Sequence, residues 1–418
     1  MRIDSQQQRW SVASHRYFWI LLALGVKILF NFLISKQVAL VFGEEGITVL
    51  MHFLNFVALL SFLPIEGVHR AWLSIAGKKP LQVNTELWIA AHFWDIAIFL
   101  VIIVVPTFFL RHFLSLFYFD ALQYFGVLAS ILAYIFLHLF LQYFLWARSY
   151  VWYGMVNVLL SACSFLAVYW ASRFGELSFV LTALAISYWL PLLLVVLMAA
   201  PPLPPLQKKW WLALYEDYQI YWQFILLALV GVLLDKLLAF EVRLWAVDTF
   251  GIIDTGYWQA LVRVSELLVG MLLAFLAAAY YPMACQMPDG RSAWVYTVRQ
   301  LRVAVPLVLV VMFLLWLSSE WWLALLYDAP FVRAAAWSHW QLTGDFFRML
   351  SCWGALLLLA RQSLMMYLVM QLLSVVVYLL SLASLYQLHA VEALPMAYAI
   401  EHLVYAAALY AYILWKRP

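Results

Sequence analysis

The feature that most constrains this chain is the recurrence of apolar runs of twenty or more residues, separated by short polar breaks. A bilayer core about 30 Å thick is crossed by about 20 helical residues, and inside lipid only a helix or closed barrel satisfies its own backbone. The runs predict an all-α polytopic membrane protein of about twelve transmembrane helices. The first six are expected at Tyr17–Phe42, Ile47–Leu73, Leu87–Leu110, Leu122–Trp146, Tyr150–Ser172 and Leu177–Ala200. The next six are expected at Ile220–Val247, Gly256–Tyr281, Val298–Ser318, Trp337–Ala360, Ser363–Gln387 and Ala393–Trp415. Only 11% of the 418 residues are charged and 67% are hydrophobic, whereas a soluble domain is about a quarter charged. A soluble enzyme on a membrane anchor is excluded on these grounds. The polar, basic stretch Met1–Arg16 leads into the first run without a small-residue cleavage site, so that helix is expected to be retained.

Threading the twelve runs alternately through a bilayer divides the Lys and Arg residues of the loops and helix ends unevenly. One side receives Arg2, Arg9, Arg16, Arg70, Lys78, Lys79, Arg148, Lys208, Lys209, Arg291, Arg299, Arg302, Arg361, Lys416 and Arg417; the other receives only Arg111, Arg173 and Arg333. The positive-inside rule makes the rich side, and both termini, cytoplasmic. One span more or fewer would erase the asymmetry. A net charge of +3 is no nucleic-acid footprint.

The widest break, Pro201–Gln219, contains Pro201, Pro202, Pro204 and Pro205, which no continuous helix tolerates. It predicts a six-helix lobe over 1–200, a cytoplasmic Pro-rich linker over 201–219 and a second six-helix lobe over 220–418. A faint repeat agrees: Lys36 precedes Phe42, Gly43, Glu44 and Gly46 as Arg243 precedes Phe250, Gly251, Asp254 and Gly256. Phe-Gly at a helix end is also ordinary turn chemistry. Parallel six-helix repeats imply a central cavity.

Thirteen ionisable residues fall inside the expected spans: Lys27, Lys36, Glu66, Asp95, Asp235, Lys236, Glu241, Arg243, Arg263, Glu266, Asp345, Arg348 and Glu401. A charge at mid-bilayer costs ~2.5–3.5 kcal/mol on insertion scales, so these residues are expected to face a protein interior or a polar lumen. Arg263 with Glu266, and Asp345 with Arg348, stand at i,i+3 and are expected to share a helix face. About half of the thirteen are expected to be structural. Lys27 has no acid within four residues and is followed at i+4 by Asn31. A buried cation of this kind suits an anionic ligand such as phosphate or pyrophosphate. Asp95, with His92 three residues before it, and Asp345 are candidates for ion coupling.

Nucleotide-loop, zinc-helix and nucleophile-elbow motifs are absent from the sequence, so no catalytic residue, cofactor or metal is predicted. Cys163, Cys285 and Cys352 are read as small core residues. Glu44 and Glu45 are read as solvated turn residues, and the outer loops are too short for the acceptor site of a glycosyltransferase or polymerase. Trp and Tyr near span ends match interfacial belts. Trp258-Gln259 and Trp340-Gln341 also join an aromatic face to an amide, a combination suited to sugars.

The chain resembles the Wzx-type lipid-linked oligosaccharide flippases of the multidrug/oligosaccharidyl-lipid/polysaccharide (MOP) exporter superfamily, especially those serving enterobacterial common antigen. The likeness runs nearly end to end: Lys27 and Lys36, the Phe42-Gly43 to Gly46 turn, Gly256-Tyr257-Trp258-Gln259, Trp340-Gln341-Leu342-Thr343-Gly344-Asp345 with Arg348, and the basic end Trp415-Lys416-Arg417. It departs from the family in having only 15 glycines and in Ala393-Leu394-Pro395 at the start of the last span. The resemblance implies a MATE-like fold of two lobes around a cationic cavity in the bacterial inner membrane. It implies transfer of an undecaprenyl-pyrophosphate-linked O-antigen, common-antigen or exopolysaccharide unit from the cytoplasmic to the periplasmic leaflet. Lys27, Lys36 and Arg243 would meet the pyrophosphate, with Arg263 and Arg348 adding to the cavity field. A polysaccharide polymerase and a chain-length regulator would be the protein partners. The alternatives are a MATE-like drug or cation antiporter and a membrane glycosyltransferase or polymerase.

Overall fold

A computed structural model of the protein describes residues 2–69, 71–72, 81–108, 110–147, 149–199, 218–287, 289–361 and 363–416. The expected linker lies outside them over 201–217, as do Arg70, Lys78, Lys79, Arg148, Lys208, Lys209 and Arg417. Among the described residues there is no strand. The first part of the chain forms α1 (Arg2–Phe62), α2 (Leu81–Ile102), α3 (Val104–Phe108), α4 (Leu110–Phe117), α5 (Ala121–Trp146), α6 (Tyr150–Ala171), α7 (Leu177–Ile186) and α8 (Trp189–Ala199). There follow α9 (Tyr218–Gly231), α10 (Leu238–Phe250), α11 (Ile252–Gln286), α12 (Gly290–Leu317), α13 (Ser319–Leu326), α14 (Ala335–Ala360), α15 (Leu364–His389) and α16 (Ala393–Trp415). Among the described residues, eight stretches are long and apolar enough to cross a membrane. Two of them, Leu22–His69 and Met365–Trp415, have 48 and 51 residues; at the helical rise they would measure roughly 70–75 Å, enough for two crossings each.

The breaks have local causes. Within α1, Gly43 takes φ 62° and bends the helix, a conformation open to glycine because it lacks Cβ. The second long stretch breaks at Ala390, φ 49°. Pro64 has no N–H for the carbonyl one turn back, and Leu63–His69 is a π-helix. Pro191 does the same to the sixth expected span, which divides into α7 and α8 at Ser187–Tyr188. Asp120 and Asp289 cap α5 and α12 with reciprocal bonds to Gln123 and Ser292.

The chain forms two compact units, Met1–Val41 with His52–Phe240, and Phe42–Met51 with Glu241–Pro418. Both changes of unit within α1, and the change at Phe240, fall inside helical chain. In the first unit a phenyl cluster fills the interior, with Phe56–Phe113 centroids at 4.9 Å, Phe53–Phe117 at 5.8 Å and Phe113–Phe240 at 6.1 Å. The π segment Leu63–His69 lies close to α9, because a Cβ at Gly67 would stand 3.4 Å from the Ile225 backbone. A second π segment, Val232–Leu237, follows α9, and Asn55 Nδ2 donates to the Lys236 carbonyl there at 3.3 Å. In the second unit α14 and α16 pack closely at Gly344 and Gly354, where an added methyl would clash with Tyr398 and Leu409.

The two Phe-Gly turns matched in the sequence meet inside the second unit. Gly43 and Gly251 both have positive φ, Thr48 Oγ1 donates to the Ile252 carbonyl at 2.9 Å, and Tyr257 donates to Glu44 Oε1 at 2.7 Å. Gly256 permits this approach, since a Cβ would press on the Glu44 carbonyl. Glu44 is therefore a half-buried packing residue rather than a solvated one; Glu45 is exposed. The cysteine expectation is likewise corrected: Cys352 is buried, Cys163 half-buried and Cys285 exposed. An apolar run does not distinguish a core face from a lipid face, because both are apolar. Helix α12 shows the point, being apolar and almost wholly exposed, with Val303, Leu307, Phe313 and Leu317 on its surface.

Candidate functional site

In the first unit Lys27 and Lys36 lie half-buried on α1. The Asn31 amide donates to the Lys27 carbonyl at 2.8 Å, a bond to its own helix, and Ser35 returns one to the Asn31 carbonyl. Asp95 is fully buried on α2, and its bonded partner is His69 of the π segment, Nε2 to Oδ2 at 2.8 Å. His92 stands three residues before Asp95 on the same helix. That ring packs on Phe136 and Phe140 at 5.2 and 6.2 Å. The widened turn after Pro64 carries His69 on a different element, and no spacing rule in the sequence links it to Asp95. His138 on α5 lies within electrostatic reach of Lys27 and His69, and its ring stacks at 4.4 Å on Tyr134.

In the second unit the acids and cations are more heavily bonded. Arg243, 4% exposed, donates to Glu266 Oε1 at 2.7 Å and to the Met51 carbonyl at 3.1 Å. Glu266, expected to share a face with Arg263, thus takes a cation from α10 as well. Arg263 is itself buried on α11. Asp345, fully buried on α14, accepts at Oδ1 from Ser265 of α11 and from Tyr398 of α16, the latter at 2.8 Å. Gln341 donates to Ser265 at 3.0 Å, and Arg348 donates to the Tyr398 hydroxyl at 3.3 Å. The result is one network, Gln341 to Ser265 to Asp345 and Arg348 to Tyr398 to Asp345, across three helices. Asp345 Oδ2 and Gln341 Oε1 have no hydrogen-bond partner among the described residues. Such a network can hold an extra proton or small cation, or transmit a change at Arg348 to a buried carboxyl.

The four aromatic and amide residues expected to meet sugar divide. Trp258 and Gln259 are buried, and neither amide atom of Gln259 has a partner among the described residues. Trp340 is half-buried and donates to Glu392 at 3.1 Å, while Gln341 belongs to the Asp345 network. Sequence reasoning missed His69, Ser265, Tyr257 and Tyr398. Only Tyr398 had a trace, the glycine at 344 that makes room for its ring.

The sequence matches no protein-family profile and no curated protein. Solved structures do match. The inward-facing form of a multidrug-resistance MATE transporter of the MOP superfamily aligns with TM-score 0.71 at 10% identity, over 93% of this chain and 94% of that one. The bent form of the Vibrio cholerae MATE transporter VcmN gives 0.65 at 15% identity, over 97% of each chain. A MOP superfamily transporter from Pyrococcus furiosus, described as having a binding pocket of reversed polarity that suggests a different function, gives 0.65 at 12% identity, over 96% and 94%. Over nearly its whole length the chain has the fold of the MATE transporters of the MOP superfamily.

Proposed function

We propose that the protein is a flippase that moves an undecaprenyl-pyrophosphate-linked oligosaccharide from the cytoplasmic to the periplasmic leaflet of a bacterial inner membrane by alternating access. In this reading it has twelve spans in two six-helix lobes, with both termini cytoplasmic. The observation that carries it is the set of buried and half-buried cations, Lys27, Lys36, Arg243, Arg263 and Arg348, on helices of a transporter fold. Cations held away from water favour an anionic cargo, and pyrophosphate binds them through charge-assisted hydrogen bonds. A similar solved structure, a MOP superfamily transporter from Pyrococcus furiosus, is described as having a binding pocket of reversed polarity that suggests a different function. Arg243 holds Glu266 and the Met51 carbonyl, while Lys27 and Lys36 stand half-buried on α1 of the first unit. Trp258, Gln259, Trp340 and Gln341 remain the sugar-side candidates.

The test replaces Lys27 and Lys36 singly with alanine and arginine and measures translocation of a labelled lipid-linked oligosaccharide. The alanine variants are expected to lose most flipping and the arginine variants to keep it. Normal flipping by both alanine variants at normal protein levels would remove the anion site. A second reading, drug or cation antiport, draws on the buried acids Asp95 and Asp345 and on the MATE neighbours. Efflux of a cationic dye, with no glycan translocation, would favour it.

A further inference from the structure

The His69–Asp95 pair is built differently from a clamp between helices. Both side chains are wholly shielded from solvent. Beyond their one shared bond, Asp95 Oδ1 and His69 Nδ1 have no hydrogen-bond partner among the described residues, and neither does His138 Nε2. A purely structural ion pair in a dry interior is normally completed by bonds to its remaining polar atoms. Here one nitrogen and one oxygen, on opposite sides of the bonded contact, are left over.

Proton accounting gives these atoms a use. With a single proton on Nε2 the pair is a neutral imidazole donating to a carboxylate, net charge −1. With a second proton, on Oδ1, the carboxyl is neutral, the imidazole keeps its single proton, and the pair is neutral overall. We infer that His69 and Asp95 together form a proton-binding site of the first unit, taking up and releasing one proton.

Among the described residues, these groups stand around the pair. Lys27 on α1 supplies positive charge within reach of His138. His138 and Tyr134 stand on α5, His92 on α2 against its phenyl rings, and Glu66 one turn before His69 on the π segment. Helix α9, packed on that segment, carries no Asp, Glu, Lys, Arg or His. The inference rests on the transport reading only for what the proton is used for, and the binding site stands apart from the identity of the cargo.

The experiment is an infrared pH titration of the purified full-length protein in lipid vesicles, from about pH 5 to 8, the range in which histidine-linked sites change charge. The expected result is a carboxylic-acid C=O band and an imidazole ring band that titrate together with one-proton stoichiometry. Asp95→Asn should remove the pair of bands, His69→Gln should remove the imidazole band and move the midpoint of the C=O band, and His92→Gln should leave both in place. Absence of coupled bands in the wild type, or their persistence in Asp95→Asn, overturns the site. Should Asp95→Asn fail to fold, Asp95→Glu serves: its C=O band must shift in frequency, and an unshifted band counts equally against the site. A separate flipping measurement under a pH gradient keeps the two readings distinct. Coupled bands with no transport of any kind would leave the proton site standing and remove the flippase.

Discussion

The two units bury an aspartate each, and they surround it in opposite ways. Among the described residues, Asp95 in the first has one hydrogen-bond partner, His69, and none at its second oxygen. Asp345 in the second accepts two bonds on one oxygen and is tied through Ser265, Tyr398, Gln341 and Arg348 to three helices. A carboxylate with one partner depends wholly on that partner, whereas a carboxylate in a network loses only part of its solvation with any single change. The first arrangement suits a switch between two protonation states, and the second suits a structure that relays a change while holding helices together.

The largest effect should come from breaking the two-member site. His69→Leu leaves the Asp95 carboxyl buried without a partner and should cost about 3 kcal/mol in SDS- or denaturant-induced unfolding. The double variant with Asp95→Leu should recover much of that loss, because no buried charge is left alone. A double variant no better than the single would make the pair an ordinary packing contact and dissolve the contrast.

A steric change should come next. Gly344→Ala drives a methyl into the Tyr398 ring and should lower stability by about 2 kcal/mol. Adding Tyr398→Ala should relieve the clash without restoring the network, which separates packing from hydrogen bonding. Smaller again is Tyr398→Phe, which removes one donor to Asp345 and one acceptor for Arg348. It should cost about 1 kcal/mol, well below the His69 variant, and equal costs would mean the two aspartates are alike.

The smallest effect belongs to an acid outside the membrane. Bonds from the Ser292 backbone and side chain hold the Asp289 carboxyl below the usual carboxylate range. A lowered folded-state pKa adds stability above the unfolded value that is lost as pH falls through the folded one. The melting temperature should therefore decline slightly on the acid side, and Asp289→Asn, which keeps a cap, should flatten that decline. A decline unchanged in the variant would place its source elsewhere.

Much of the fold was legible in the residues. Helices lie at the expected spans, and breaks fall at Gly43, between Ala360 and Leu364, and at Ala390. The glycines of the two Phe-Gly turns take the positive φ that their position suggested. The candidate site was legible only as an inventory. That Asp95 and Asp345 would be buried followed from their place in apolar runs, while the bond between His69 and Asp95 had no signal in the spacing. Spacing along one helix describes neighbours on that helix and nothing about the helix alongside. Cys285 failed as a core residue for a related reason, since core and lipid demand the same apolar character.

By itself the sequence determined where helices form and that they belong in a membrane. Bilayer thickness sets the length of an apolar run, and a backbone without water must bond to itself. Only the tertiary structure decided which charges meet. The rotation of each helix, the widened turn after Pro64 and the clearance at Gly344 together bring His69 to Asp95 and Tyr398 to Asp345. Those are contacts between segments 26 and 53 residues apart, and they depend on packing that no local pattern encodes.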